Sequence, residues 1–371
     1  MLQEHLGYVS DAARLKHYTE AIRRVIKPGD CVLDLGCGSG VLGLLCLRAG
    51  AARIIAVDAT VMIDVARETM ARAELSSRAV FIRGESRRVD LSERVDAIIC
   101  DQTGYFGFDA GILRDLGDAR RRFLKDAGAL IPSSLSLHVA GVESGPAYAP
   151  VSGWASETVP AELHWLKERA LNTRYPVSLS PGALLTVPVL LGSIDLFQNG
   201  DGLHSWTVDL RATRDGTLNG IGGWFDCQLA PGVYMTNSPL ADGRINRPQA
   251  FFPIRRAAEL RAGDRVTVTI IARPNENLIA WVVGLPCGER LRQSTWNGML
   301  LSPDDLHRSN PSRMPRPNRM AHARATILRY CDDRLTAREV EESVLRDHPD
   351  LFPSPAEISR VVAQVLAKDT D

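Results

Sequence analysis

Between residues 11 and 143, short apolar runs of strand length alternate with segments whose apolar positions recur at helical spacing. The pattern predicts a helix over 11–26, a strand over 31–35, a helix over 40–49, a strand over 53–58, a helix over 61–75, and strands over 79–83 and 95–100. A helix over 110–124 follows, then a short apolar stretch at 129–131, a turn at Pro132-Ser133 and an alternating run over 135–142. Strand and helix in alternation build βαβ units, so the first domain, 1–145, is expected to be a doubly wound α/β layer around a parallel sheet.

The texture then changes. Period-two apolar runs at 205–213, 221–229, 233–235, 265–271 and 278–283, punctuated by Gly and Pro, predict an antiparallel β domain over 146–287. A helical excursion over 158–176, carrying Leu163, Trp165, Leu166 and Leu171, interrupts its start and is suited to meeting a partner subunit. A polar, Pro-punctuated linker over 288–317 leads into a small module over 318–371, with helices expected at 319–330, 336–347 and 354–368.

Composition bounds the function. Hydrophobic content of 45% and charged content of 24% over 371 residues are those of a folded globular chain. Lys plus Arg and Asp plus Glu both number 44, so the molecule as a whole exerts no electrostatic pull on nucleic acid or an anionic membrane. Residues 289–329 carry eight Arg against three acids, and 330–371 carry five basic against ten acidic residues, which reads as two solvated faces that offset each other. No apolar stretch has the length of a membrane span, and the first 18 residues lack the apolar region of a secretory signal, so the cytoplasm is expected. The seven cysteines (31, 37, 46, 100, 227, 287 and 331) form no CxxC pair and read as buried free thiols, with no metal site.

The chemistry concentrates in 28–40, where a strand ending in Asp34 runs into Gly36-Cys37-Gly38-Ser39-Gly40 and then a helix. Glycines admit a ligand where a Cβ would clash, and the helix N-terminus offers free N–H groups. Asp58 closes the next strand, where an acid accepts hydrogen bonds from ribose hydroxyls. The spacing Gly38-x-Gly40-x-x-Gly43 also satisfies a nicotinamide-binding fingerprint. The frame Val32-Leu33-Asp34-Leu35-Gly36-Cys37-Gly38-Ser39-Gly40, with the acid two residues ahead of the first glycine, instead resembles the nucleotide loop of class I S-adenosylmethionine methyltransferases.

Three further segments narrow the resemblance: Asp11-x-x-Arg14-x-x-x-Tyr18, the run from Asp101 through Gly104-Tyr105-Phe106 to Asp109, and Gly223-Trp224-Phe225-Asp226 with Tyr234-Met235-Thr236-Asn237-Ser238-Pro239. In order and spacing they resemble the protein arginine N-methyltransferases over roughly residues 8 to 285. The resemblance implies a Rossmann-like domain, a β-barrel with a helical dimerisation arm, S-adenosyl-L-methionine as cofactor, a peptide or protein substrate in preference to a small molecule, and a homodimer. It places Arg14 on the cofactor carboxylate, Asp58 on the ribose where the family has Glu, and Asp34, Gly36, Cys37, Gly38, Gly40, Ala59, Glu85 and Ser86 around the cofactor, with Arg87 in place of an acid.

The acceptor side departs from the family, whose two glutamates flank a Met-Gly-Tyr hairpin and clamp the substrate guanidinium. Here the first is Asp101 and the second aligns with Ala110, with Asp109 one residue away. The Thr-His-Trp motif is absent; the chain reads Asp242-Gly243-Arg244-Ile245-Asn246-Arg247-Pro248-Gln249. Asp101, Asp109 and Tyr105 are the candidate catalytic residues, and the altered pair favours an amide, imidazole, amine or carboxylate acceptor over arginine. A small-metabolite N- or O-methyltransferase and a cofactor-binding protein without transfer are the other readings. The tail, from His322 through the Asp332-Asp333 turn to Thr336 and Glu339, resembles PqqD-like modules, which recognise leader peptides of modified peptide natural products.

Overall fold

The computed structural model describes residues 2–198 and 202–370. The chain forms two compact units, Met1–Leu300 and Leu301–Asp371.

The first unit opens with helices α1 (Leu2–Ser10) and α2 (Ala12–Val25), followed by β1 (Cys31–Leu35), α3 (Val41–Arg48), β2 (Arg53–Asp58), α4 (Met62–Arg72), β3 (Ala79–Arg83), β4 (Val95–Cys100), α5 (Ile112–Phe123) and β5 (Leu124–Ile131). The five strands make a parallel sheet in the order β3-β2-β1-β4-β5, which switches direction beside β1. Every residue of β1 is buried, as expected of a strand covered by helices on both faces. The loops at the carboxyl ends of β1, β2 and β4 therefore converge, the usual position of a ligand crevice in such a sheet.

An antiparallel region follows: β6 (Ser134–Val142), α6 (Gly145–Ser152), α7 (Leu166–Leu171), β7 (Tyr175–Val177), β8 (Val189–Asp195), β9 (His204–Arg211), β10 (Gly216–Ala230), β11 (Val233–Thr236), β12 (Gln249–Leu260), β13 (Arg265–Arg273), β14 (Leu278–Gly284), β15 (Arg290–Ser294) and α8 (Thr295–Gly298). One sheet runs β7-β12-β10-β6-β8, with β11 paired to β10, and a second runs β15-β14-β13-β9. The sequence boundary at 145 is corrected: β6 pairs with β10 from Val142–Gly220 to Ser134–Gln228, so the antiparallel region begins directly after the Pro132-Ser133 turn. The expected linker is corrected too, because β15 pairs with β14. The excursion over 158–176 contains a 3₁₀ turn at Ala161–Leu163 and the short helix α7, whose Ala170 and Leu171 pack with Val151 of α6, while Trp165 stays exposed.

The second unit holds α9 (Pro303–Ser309), α10 (Arg319–Leu328), α11 (Ala337–Asp347) and α12 (Pro355–Asp369). Ile327, Val344, Ile358 and Val362 form its own core. Thr336 and Glu339 make the reciprocal capping box that starts α11. Among the described residues no helix is long and apolar enough to cross a membrane. All seven cysteines are free, but Cys287 is exposed and Cys331 only partly buried, against expectation; Cys287 sits in the β14–β15 turn, where nothing packs over it.

Candidate functional site

The loop after β1 is held from beneath and from the side. Gly36, Gly38 and Gly40 have φ of +70°, +53° and +78°, a left-handed run that side chains strain to adopt. Asp34 is 1% exposed, and its Oδ2 accepts the N–H of Gly43 at 2.8 Å in the first turn of α3. Burial pushes its carboxyl up to about 7, against the pull of the Gly43 N–H and of Arg14. From the side, Asp58 Oδ2 accepts the Gly38 N–H at 2.9 Å, and its Oδ1 takes the Thr60 N–H and hydroxyl at 2.8 and 2.7 Å. A carboxylate has about four lone-pair sites, so one remains for a ligand hydroxyl.

Two cavities meet at this loop. The larger, about 480 Å³, is lined by Gly36, Asp58, Ala59, Glu85 and Ser86 with Arg114 and Asp115 on its far wall. The smaller, about 250 Å³, is lined by Arg14, Cys37, Gly38, Asp101 and Thr103 under His5 and Tyr8 of α1. Gly36 and Gln102 belong to both. A Cβ on Gly36 would stand 2.9 Å from the Gln102 amide, and one on Gly38 would stand 2.7 Å from the His5 ring. Eight of the cofactor-side residues expected from sequence thus line the two cavities. Asp34 and Gly40 do not: Asp34 is tied to the α3 N-terminus, and a Cβ on Gly40 would meet Ala66 of α4.

The acceptor side differs more from expectation. Asp101 follows β4 with a side chain 9% exposed; its Oδ2 accepts Arg14 Nε at 2.5 Å and lies 3.4 Å from Arg247 Nη2, while its Oδ1 takes the Thr103 hydroxyl at 3.2 Å. Arg247 Nη1 also donates to the Thr103 hydroxyl. Burial alone would raise the Asp101 carboxyl, but Arg247 and Arg14 outweigh it and hold the group below the usual carboxylate range. Asp109 is not in the cavity. Its Oδ1 accepts the Phe106 N–H at 2.7 Å, its Oδ2 pairs with Arg174, and its side chain is 1% exposed. The neighbouring Ala110 lines the cavity instead, as a one-residue change of register requires. The Tyr105 side chain is exposed and lines neither cavity; its carbonyl accepts Asn237 Nδ2 at 3.0 Å.

Asn237 is fully buried and fixes the hairpin to the β layer, since its Oδ1 also accepts the Phe225 N–H at 2.9 Å and its Nδ2 donates to the Pro248 carbonyl at 2.8 Å. Gly223 leaves the space that the Phe106 ring fills. On the helix side, Tyr18 donates to the Cys100 carbonyl at 3.1 Å, and Asp11 caps α2 while accepting the Asn246 N–H at 2.7 Å. Sequence reading missed Gln102, Thr103, Arg174 and Arg247. An arginine partner of a carboxylate about 70 or 150 positions away leaves no local trace.

With this geometry in place, the likeness to known proteins is specific. The sequence family described as ribosomal protein L11 methyltransferase (PrmA) matches residues 16–166. The chain is 28% identical over 236 residues to a probable protein arginine N-methyltransferase 6 of Arabidopsis thaliana, covering 61% of this chain and 54% of that one. It is 29% identical over 236 residues to a probable protein arginine N-methyltransferase 6.2 of Oryza sativa subsp. indica, covering 62% and 58%. It spans a little over half the length of these relatives. Among solved structures, Arabidopsis thaliana protein arginine methyltransferase 10 superposes with a TM-score of 0.69 at 22% identity, covering 80% of this chain and 98% of that one. The chain has the protein arginine methyltransferase fold. The PRMT1 enzyme-prozyme heterotetrameric complex of Trypanosoma brucei, described with AdoHcy, gives 0.69 at 20% identity over 78% of this chain and 96% of its own. Within this arginine methyltransferase fold, Arg247 on Asp101 and Arg174 on Asp109 are ion pairs internal to the chain.

Proposed function

We propose that the chain is an S-adenosylmethionine-dependent methyltransferase that modifies a side-chain heteroatom, other than the guanidinium of arginine, on a peptide or protein. The cavities and loop fit the cofactor: a glycine cradle that Cβ atoms would fill, a lone-pair site on Asp58 beside the 480 Å³ space, and Arg14 at the 250 Å³ space. Asp58 would take the ribose, Glu85 and Ser86 the adenine edge, and Arg14 the cofactor carboxylate. S-Adenosylmethionine supplies an electrophilic methyl group there; the chain's residues hold the acceptor and shape the site.

The observation that carries the choice of acceptor is the occupation of Asp101. A guanidinium acceptor needs two free carboxylates, and here one is engaged by Arg14 and Arg247 while Ala110 stands in the cavity beside it. A second reading, a small metabolite as acceptor, draws support from the modest 250 Å³ of the inner cavity. The helical unit 301–371, with its own core, is the candidate docking module for a precursor peptide, which would place the enzyme in modified-peptide biosynthesis. A cytoplasmic homodimer completes the proposal, with exposed Trp165 on the segment assigned to the arm.

The test is mass spectrometry with methyl-labelled S-adenosylmethionine and two acceptor pools, peptides and small metabolites, on the full chain and on a chain cut after Leu300. Label in peptides, lost on truncation, supports the proposal. Label only in arginine guanidinium groups, or only in metabolites with truncation neutral, refutes it.

A further inference from the structure

We propose that the acceptor taken beside Arg247 is a carboxylate, so that the product is a methyl ester; this rests on the methyltransferase reading above and names its substrate class.

The first argument is charge. Around the inner cavity the guanidinium groups of Arg14 and Arg247 face the single carboxylate of Asp101, and Asp109 is withdrawn to Arg174, so one positive charge is in excess. A cationic acceptor would be placed against that excess, whereas an anionic one offsets it. Both arginines are secluded enough for this to count, with side chains 6% and 9% exposed.

The second argument is donor supply. A guanidinium has five N–H donors. Arg247 donates to the Thr103 hydroxyl and makes one long contact of 3.4 Å with Asp101; among the described residues its other three donors have no protein acceptor. The same residue lines an outer cavity of about 550 Å³ with Pro239, Asp242 and Arg244, and its guanidinium reaches Asp101 and Thr103 in the wall of the inner one. A nine-tenths buried guanidinium with unused donors beside these cavities suits a carboxylate, which accepts from Arg through paired N–H groups.

The third argument is the proton. An ammonium or guanidinium acceptor must lose one before it can attack, and the inner cavity offers poor bases: Asp101 is held ionised by its arginines, and burial with Glu4 pushes the Tyr8 phenol up so that it keeps its proton. Burial pushes the Cys37 thiol of the same wall well above its usual range, so it too keeps its proton, and the His5 ring is packed against Gly38. A carboxylate needs no base at neutral pH. Its oxygen lone pair forms the new O–C bond to the methyl carbon, the C–S bond breaks with its electron pair left on sulfur, and the sulfonium becomes a neutral thioether with no proton changing hands.

The experiment uses the full chain with S-adenosylhomocysteine present. N-acetyl-glutamate amide and N-acetyl-arginine amide are titrated by calorimetry against the wild type and Arg247→Gln, and transfer to each is then followed with trideuteromethyl S-adenosylmethionine. The carboxylate probe should bind the wild type at least about tenfold more tightly than the guanidine probe, and Arg247→Gln should abolish that preference. Transferred label should leave as methanol on mild alkaline treatment, as an ester does and an N-methyl group does not. A preference for the guanidine probe, or alkali-stable label, overturns the carboxylate assignment while leaving a methyltransferase. Failure of S-adenosylhomocysteine itself to bind overturns the reading beneath it.

Discussion

Replacing Asp34 by Asn removes a titrating group whose folded and unfolded states differ widely. The carboxyl moves from 3.8 to about 7 on folding because it is buried under the glycine loop. Below the unfolded value both states are protonated and the group is neutral toward stability. As pH rises from about 4 to about 7 the unfolded chain ionises while the native one stays protonated, so the native state is progressively penalised, and above about 7 the penalty is constant. Three pKa units at 1.36 kcal/mol each amount to about 4 kcal/mol. Asn keeps an oxygen to accept the Gly43 N–H and does not titrate. Urea unfolding of both proteins at intervals from about pH 4 to about pH 8 should show the variant gaining on the wild type by up to about 4 kcal/mol, with other titrations cancelling in the difference. A stability difference that stays flat across this range would refute the placement of Asp34 in an apolar environment.

Asp58→Ala removes three bonds that hold the loop together with the proposed ribose acceptor, and should weaken S-adenosylhomocysteine binding by about tenfold or more in calorimetry while leaving the far-ultraviolet spectrum native. Arg174→Met strands the Asp109 carboxylate in the interior and should cost about 3–5 kcal/mol of stability; the double variant with Asp109→Asn should recover much of that, an outcome that a catalytic Asp109 would not give in activity. Gly40→Ala forces a side chain into left-handed backbone against Ala66, and its denaturation midpoint should fall by the equivalent of about 1–2 kcal/mol. Cleavage in the segment around residue 300 should release two fragments that each keep helical or mixed circular dichroism, because each unit has its own core.

Parallel strands were easy to read because β1 and β2 are buried along their length and appear as short apolar runs, Cys31–Leu33 and Ile54–Val57, each followed by an aspartate. The strand β12 was not, since Pro253 and the Arg255-Arg256 pair disguise it; the Pro253 carbonyl instead accepts the Trp281 indole N–H at 2.7 Å. The helix α1 buries none of its residues, so no periodic apolar stripe announced it, although His5 and Tyr8 roof the inner cavity. On the site itself, glycines and strand-end acids gave the cofactor side because their roles follow from local backbone geometry. The acceptor side depends on which arginine reaches which aspartate, a property of the β layer's pairing, and Asp109 was misplaced because adjacent loop residues face opposite ways.

The Asn237 amide ties the backbone at Tyr105, Phe225 and Pro248 into one node. Residues 239–247, which lie between Asn237 and Pro248 and end at Arg247, hang from that node as a loop anchored at both ends. Substitutions at the exposed positions near its tip reshape the outer cavity without touching that node, whereas a change at Asn246 or Arg247 reaches the α2 cap or Asp101 directly. A single buried amide therefore fixes where the loop leaves and rejoins the β layer, while Asp11 and Asp101 fix its last two residues against the helical side.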